Sequence, residues 1–250
     1  LPGTRGEAAP GRLDARSLFV MAQALAAAAG AFPADGQPQR AVNVSERGAH
    51  DSYRDAFNEV LLRVQQQLQR SARPQQLPIR MYIAGGAALH LLTGARATAD
   101  VDATFSRRVL LGEDIEVAYR DPDGRARLVY LDRNYNDTLG LMHEDAYDDS
   151  QPVAIPGLDK RVIEVRVLAP LDLAVSKLAR FSDQDRLDIE TLAKAGLIDS
   201  ASVRKRAGEA LQAYVGDVTR TQNSIDIACR VIDAMRPQKS ARTVRKPERR

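Results

Sequence analysis

At 250 residues, with 44% hydrophobic and 28% charged side chains, the chain has an ordinary globular composition and the length of one large domain or two small ones. A single cysteine, Cys229, excludes an intramolecular disulfide framework and fits a reducing, cytoplasmic setting; with only three histidines beside it, a zinc site built from those ligands is not expected. The net charge of +3 is local, because residues 236–250 hold seven basic side chains against Glu248, which leaves 29 basic and 32 acidic residues in the rest.

Residues 1–50 read as an N-terminal extension. Segments 1–15 and 33–50 are rich in Gly, Pro, Gln and Arg, while Leu18, Phe19, Val20, Met21 and an alanine run form one apolar helix over residues 17–32. That stretch is shorter than the ~20 residues a bilayer needs and contains Gln23, so a buried helix is expected and no membrane partner. Glu7 and Asp14 precede it, unlike the basic start of a secretory signal, and a chain opening on Leu1 suggests a processing remnant there.

An amphipathic helix begins at Asp51 or Ser52, with Phe57, Val60, Leu61, Val64 and Leu68 on one face, and stops at Arg73-Pro74. Ile79, Met81 and Ile83 alternate as a strand that enters Gly85-Gly86; a short helix and a second strand from Asp100 to Phe105 follow. Strands over 115–119 and 126–131 flank Asp121-Pro-Asp-Gly124 as a hairpin, and a further strand covers 162–167. From Pro170 onward the pattern is helical, with breaks near Ser182, 196–200 and Gly216. The expected fold is α/β (α+β): a mixed sheet flanked by helices over 51–168, a C-terminal helical bundle over 169–235, and a disordered basic tail over 236–250. That tail could touch RNA through non-specific attraction to phosphates.

The segment 81–105 carries the chemistry. Side chains alternate along a strand, so Asp100 and Asp102 point the same way, with Val101 opposite. Two carboxylates so close repel each other, and an oxygen-bound divalent cation, magnesium or manganese, relieves that repulsion. A glycine turn opening a helix presents free N–H groups that suit a phosphate chain. The segment is therefore expected to hold a metal-bound nucleotide.

Ala84-Gly85-Gly86, then thirteen residues, then Asp100-Val101-Asp102-Ala103 resembles the signature of the polymerase-β-like nucleotidyltransferase superfamily. The resemblance implies a nucleotidyltransferase fold, Mg2+ or Mn2+ held by Asp100 and Asp102, and an NTP whose phosphates lie over Gly85 and Gly86. Many relatives carry Ser where Gly86 stands, so here a hydroxyl to phosphate is expected to be missing. A third carboxylate on a later strand is common in such proteins, and Glu164, which shares a strand face with Arg166, is the expected residue for metal or base.

Pro170 through Arg180, followed by Asp185-Arg-Leu-Asp188, resembles the later motifs of abortive-infection nucleotidyltransferase toxins of the AbiEii type, with Gln184 in place of an expected basic residue. This implies catalytic or nucleotide-binding roles for Lys177 and Asp188, transfer onto tRNA or protein, and an antitoxin-like protein partner. On residue pattern alone, Asp185 and Asp188 share one helix side with Ile189 and Leu192, and Ser182 with Asp185 forms a capping box. Lys177 borders an apolar face and can reach a phosphate, Asp188 can orient it or meet the acceptor, and Arg180 points to the surface. Arg96, Arg107 and Arg108 read as surface charge, and Tyr82 as structural. An antibiotic-modifying enzyme, a silent nucleotide- or partner-binding module and an RNA-binding protein remain alternatives.

Overall fold

The computed structural model describes residues 50, 52–112, 114–136 and 140–235; the apolar stretch 17–32 and the basic tail lie outside them. Helix α1 (Tyr53–Ser71) starts where Ser52 Oγ accepts the Asp55 N–H at 3.2 Å. Its stripe from Phe57 to Leu68 is buried, and α1 packs across the hairpin strands β3 (Glu116–Arg120) and β4 (Ala126–Asp132). A 3-10 turn over Pro74–Gln76 leads to β1 (Ile79–Ile83), α2 (Gly85–Thr93) and β2 (Asp100–Phe105). Two strands, β5 (Gln151–Pro152) and β6 (Ile163–Val167), complete the sheet; the short β5 has no sequence signal.

The six strands run in the order β3-β4-β2-β1-β6-β5. β2 pairs antiparallel with β1 and parallel with β4, while β1 pairs parallel with β6, so the sheet is mixed as expected. The register sorts the side chains. Met81, Ile83, Val101, Ala103, Leu131, Val165 and Val167 share the apolar face, whereas Tyr82, Asp100, Asp102, Asp132, Glu164 and Arg166 share the other.

Helices α3 (Pro170–Ser176), α4 (Asp183–Lys194), α5 (Ser200–Ala210) and α6 (Val218–Met235) follow the sheet, interrupted near the expected positions. One contiguous apolar cluster runs from α1 through the sheet to Ile232 of α6, so the two expected regions share a core. No helix among the described residues is long and apolar enough to cross a membrane.

Leu61 is fully buried in this core. Leu61→Ala is expected to destabilise the fold by about 2–5 kcal/mol, read as a lower denaturant midpoint at an unchanged slope.

Candidate active site

A cavity of about 600 Å3 opens between the polar face of the sheet, the start of α2 and the α3–α4 corner. Five carboxylates (Asp100, Asp102, Asp132, Asp185, Asp188) and three basic side chains (Arg96, Lys177, Arg180) line it, with Gly85, Gly86 and Thr98.

Asp102 lies against the turn. Gly85 has φ +57°, and a Cβ there would stand 1.8 Å from Asp102 Oδ2, so only glycine admits the approach. The Ala84 N–H donates to the Asp102 carbonyl at 2.9 Å and fixes the turn to the strand. Asp100 lies one strand repeat away and accepts a hydrogen bond from Thr98 Oγ1. A further carboxylate on this face, Asp132, is in register with Asp102 on parallel β4. In-register neighbours on adjacent strands stand about 4.8 Å apart, so the two carboxylates begin side by side. Burial first, then Asp100 and Asp132, push the Asp102 carboxyl up to about 6. Tyr130 stands among the same groups; burial, then Asp100, Asp132 and Asp102, raise its phenol above the ordinary value.

Glu164 lies apart from these groups. Its strand neighbour across β1 is Arg80, four residues before Ala84, the residue level with Asp102. That places Glu164 about 13 Å along and about 10 Å across the sheet from the aspartates. It does not line the cavity. Arg166 Nη1 at 2.7 Å and Arg80 Nε at 3.3 Å donate to it instead, and the Arg166 hydrogen bond leads in holding its carboxyl below the usual value. Tyr82, its ring tilted 48° to that of Tyr147 with centroids 4.7 Å apart, and Arg166, bonded to Ser150, belong to the covering of this far part of the face.

The opposite wall is an ion-pair network on the α3–α4 corner. Lys177, 7% exposed, donates to Asp188 Oδ2 at 2.6 Å and lies 3.7 Å from Asp185 Oδ1. Gln184 Nε2 and Arg96 also donate to Asp188, at 2.9 Å and at 3.2–3.3 Å. Arg180 is exposed, yet it grips Asp185 with two nitrogens at 2.8 Å, and Ser182 and Asp185 close the capping box. Burial alone would raise the Asp188 carboxyl, but the Lys177, Arg96 and Gln184 hydrogen bonds outweigh it and hold it below its usual value. Asp185 is lowered likewise, with Arg180 and Ser182 overcoming burial.

The structure thus brings Gly85, Gly86, Asp100, Asp102, Lys177 and Asp188 to one cavity and leaves Glu164 outside. Asp132, Arg96 and Thr98 join them without having been singled out as site residues. Arg107 and Arg108 line a separate hollow of about 420 Å3 at the end of α1.

Asp100, Asp102 and Asp132 offer carboxylate oxygens on two adjacent strands, the donor type a hard divalent cation takes. Among the described residues no three His, Cys, Asp or Glu already converge into a metal cage.

These features define a nucleotidyltransferase-like chain. It belongs to the family described as "Nucleotidyltransferase of unknown function (DUF6036)", whose model matches residues 59–233. It is also similar to the crystal structure of an antigenic nucleotidyltransferase-like protein from Paracoccidioides brasiliensis, with 17% identity over 73% of this chain and 90% of that one and a TM-score of 0.32. No curated protein sequence matches it.

The raised Asp102 carboxyl has a pH signature. A folded value near 6 against 3.8 gives stability that is fully present below about pH 4 and lost as pH rises through 6. Asp185 and Asp188 act oppositely, losing stability as pH falls below their ordinary range, so the comparison must be made against a variant. Without divalent cation, Asp102→Asn is expected to gain on the wild type by on the order of 2–3 kcal/mol between pH 4 and pH 7, measured by denaturant unfolding. Parallel pH profiles would contradict the crowding described.

Proposed function

We propose that the protein is a metal-dependent nucleotidyltransferase that moves a nucleoside monophosphate from an NTP to a hydroxyl on tRNA or protein. The observation that carries this is that Asp100, Asp102 and Asp132 line one cavity with Gly85 and Gly86, Asp102 lying against the Gly85 turn and in register with Asp132. These three carboxylates would hold Mg2+ or Mn2+, which when bound offsets phosphate charge and stabilises departing pyrophosphate. The remaining work falls to the chain. The first N–H groups of α2 meet the triphosphate at Gly85 and Gly86, where the missing side chains allow close approach. The acceptor oxygen bonds to the α-phosphorus as the bond to the α–β bridging oxygen breaks. Asp132 takes the proton that the acceptor hydroxyl loses.

Lys177, Arg96 and Arg180 outnumber Asp185 and Asp188 on their wall, which leaves one net positive charge facing the phosphates. Asp188 holds Lys177 in place rather than meeting the acceptor. A cavity of about 600 Å3 suits one small ligand. With an NTP inside, the acceptor presents its hydroxyl from outside, which favours a macromolecule over a small antibiotic. The likeness of 170–188 to AbiEii-type motifs supports a toxin of a toxin–antitoxin or phage-defence system, acting in the cytoplasm and restrained by an antitoxin-like protein.

The test uses four α-labelled NTPs with magnesium or manganese, bulk tRNA and cell protein. Label transfer is expected from the wild type and from Glu164→Ala, and a loss of at least about a hundredfold from Asp100→Ala, Asp102→Ala and Asp132→Ala. Transfer surviving in Asp132→Ala, or lost selectively in Glu164→Ala, would overturn the assignment of the third carboxylate.

A further inference from the structure

Gly86 stands where a serine hydroxyl is expected, yet a hydroxyl occupies that space. Thr98, 8% exposed, lies in the loop before β2 and lines the same cavity. A Cβ built on Gly86 would lie 3.0 Å from both Thr98 Cβ and Oγ1 and 3.3 Å from Cγ2. The threonine therefore fills the room that a side chain at position 86 would take, and its oxygen stands beside the point from which a serine hydroxyl would project. A serine at 86 would press on Thr98, which would have to give by a few tenths of an ångström.

We propose that Thr98 supplies, from the neighbouring loop, the hydroxyl that donates to a phosphate oxygen of the bound triphosphate, in place of a serine at position 86. The inference rests on the nucleotidyltransferase reading and adds a phosphate-binding residue to it. A threonine hydroxyl has one proton and turns freely about its C–O bond. In the unliganded protein that proton goes to Asp100 Oδ1. A phosphate oxygen arriving over the α2 N-terminus competes for it, and the switch needs only rotation of the hydroxyl, with no heavy atom displaced. The β-branched side chain is stiff at χ1, which keeps Oγ1 beside Gly86 on the lining of the cavity.

The test reads binding of inorganic tripolyphosphate in the presence of Mg2+ by calorimetry, which requires neither base nor acceptor to be known. Thr98→Val is expected to weaken binding at least about tenfold, as loss of a hydrogen bond to a charged group does, while Thr98→Ser stays within about threefold. Gly86→Ser alone is expected to bind poorly because its side chain meets Thr98. Gly86→Ser combined with Thr98→Ala is expected to bind much better than Thr98→Ala alone, since the hydroxyl returns from the other side. Circular dichroism establishes that each variant is folded. Thr98→Val binding within about twofold of the wild type, or a double variant no better than Thr98→Ala, would overturn the inference while the nucleotidyltransferase reading stands. Wild-type protein that binds no tripolyphosphate would remove both.

Discussion

Five carboxylates face one cavity with three basic side chains, and the way these charges are sorted governs the rest of the site. Asp185 and Asp188 take all three cations onto the helical wall, where each carboxylate is held below its usual value. Asp100, Asp102 and Asp132 are left on the sheet wall with hydrogen bonds from a hydroxyl and a backbone amide, from Thr98 to Asp100 and from the Asn134 N–H to Asp132. Burial first, and then the other two carboxylates, push up Asp102, which is pressed against Gly85, to about 6. A protein that only needed to be stable would not concentrate acids without a salt bridge among the described residues in this way. A protein that must take up a cation with an anionic substrate gains affinity from the same crowding.

The helical wall also joins the two halves of the chain. Arg96 comes from the loop between α2 and β2, Lys177 from the end of α3 and Gln184 from α4, and all three meet on Asp188. Asp188 and Lys177 are buried, so their pair is shielded from solvent, while Arg96 and Gln184 reach it from the exposed side. The position of the Lys177 ammonium is therefore set by the same carboxylate that anchors the loop leading into β2. Removing that carboxylate would take away the closer partner of a buried lysine and leave it only Asp185 at 3.7 Å, a destabilising change.

Local patterns made much of this legible in the sequence. Period-2 alternation put Asp100 and Asp102 on one face, the Gly85 turn followed from its place between strand and helix, and Ser182-x-x-Asp185 announced its capping box. What stayed hidden was non-local. Asp132 ends a strand in which Val129 and Leu131 alternate with Leu128 and Tyr130, so its face could be read, but the parallel pairing of β4 with β2 could not. Glu164 offered a similar alternation on β6 and was preferred, although Arg166 and Arg80 neutralise it away from the cavity. Arg96 looked like surface charge because nothing local pairs with it; its partner lies 92 residues further on. Thr98 gave no signal until its contact with Gly86 was visible.

The most direct measurement of the central claim is the number of protons released when Mg2+ binds, obtained by calorimetry in buffers of different ionisation enthalpy. Because Asp102 is held near 6 in the free protein, Mg2+ binding at pH 6 should release about half a proton. The release should fall toward zero at pH 8 and disappear in Asp102→Asn. Mg2+ binding without proton release at pH 6, or with a release unchanged in Asp102→Asn, would contradict a cation site built on the crowded aspartates.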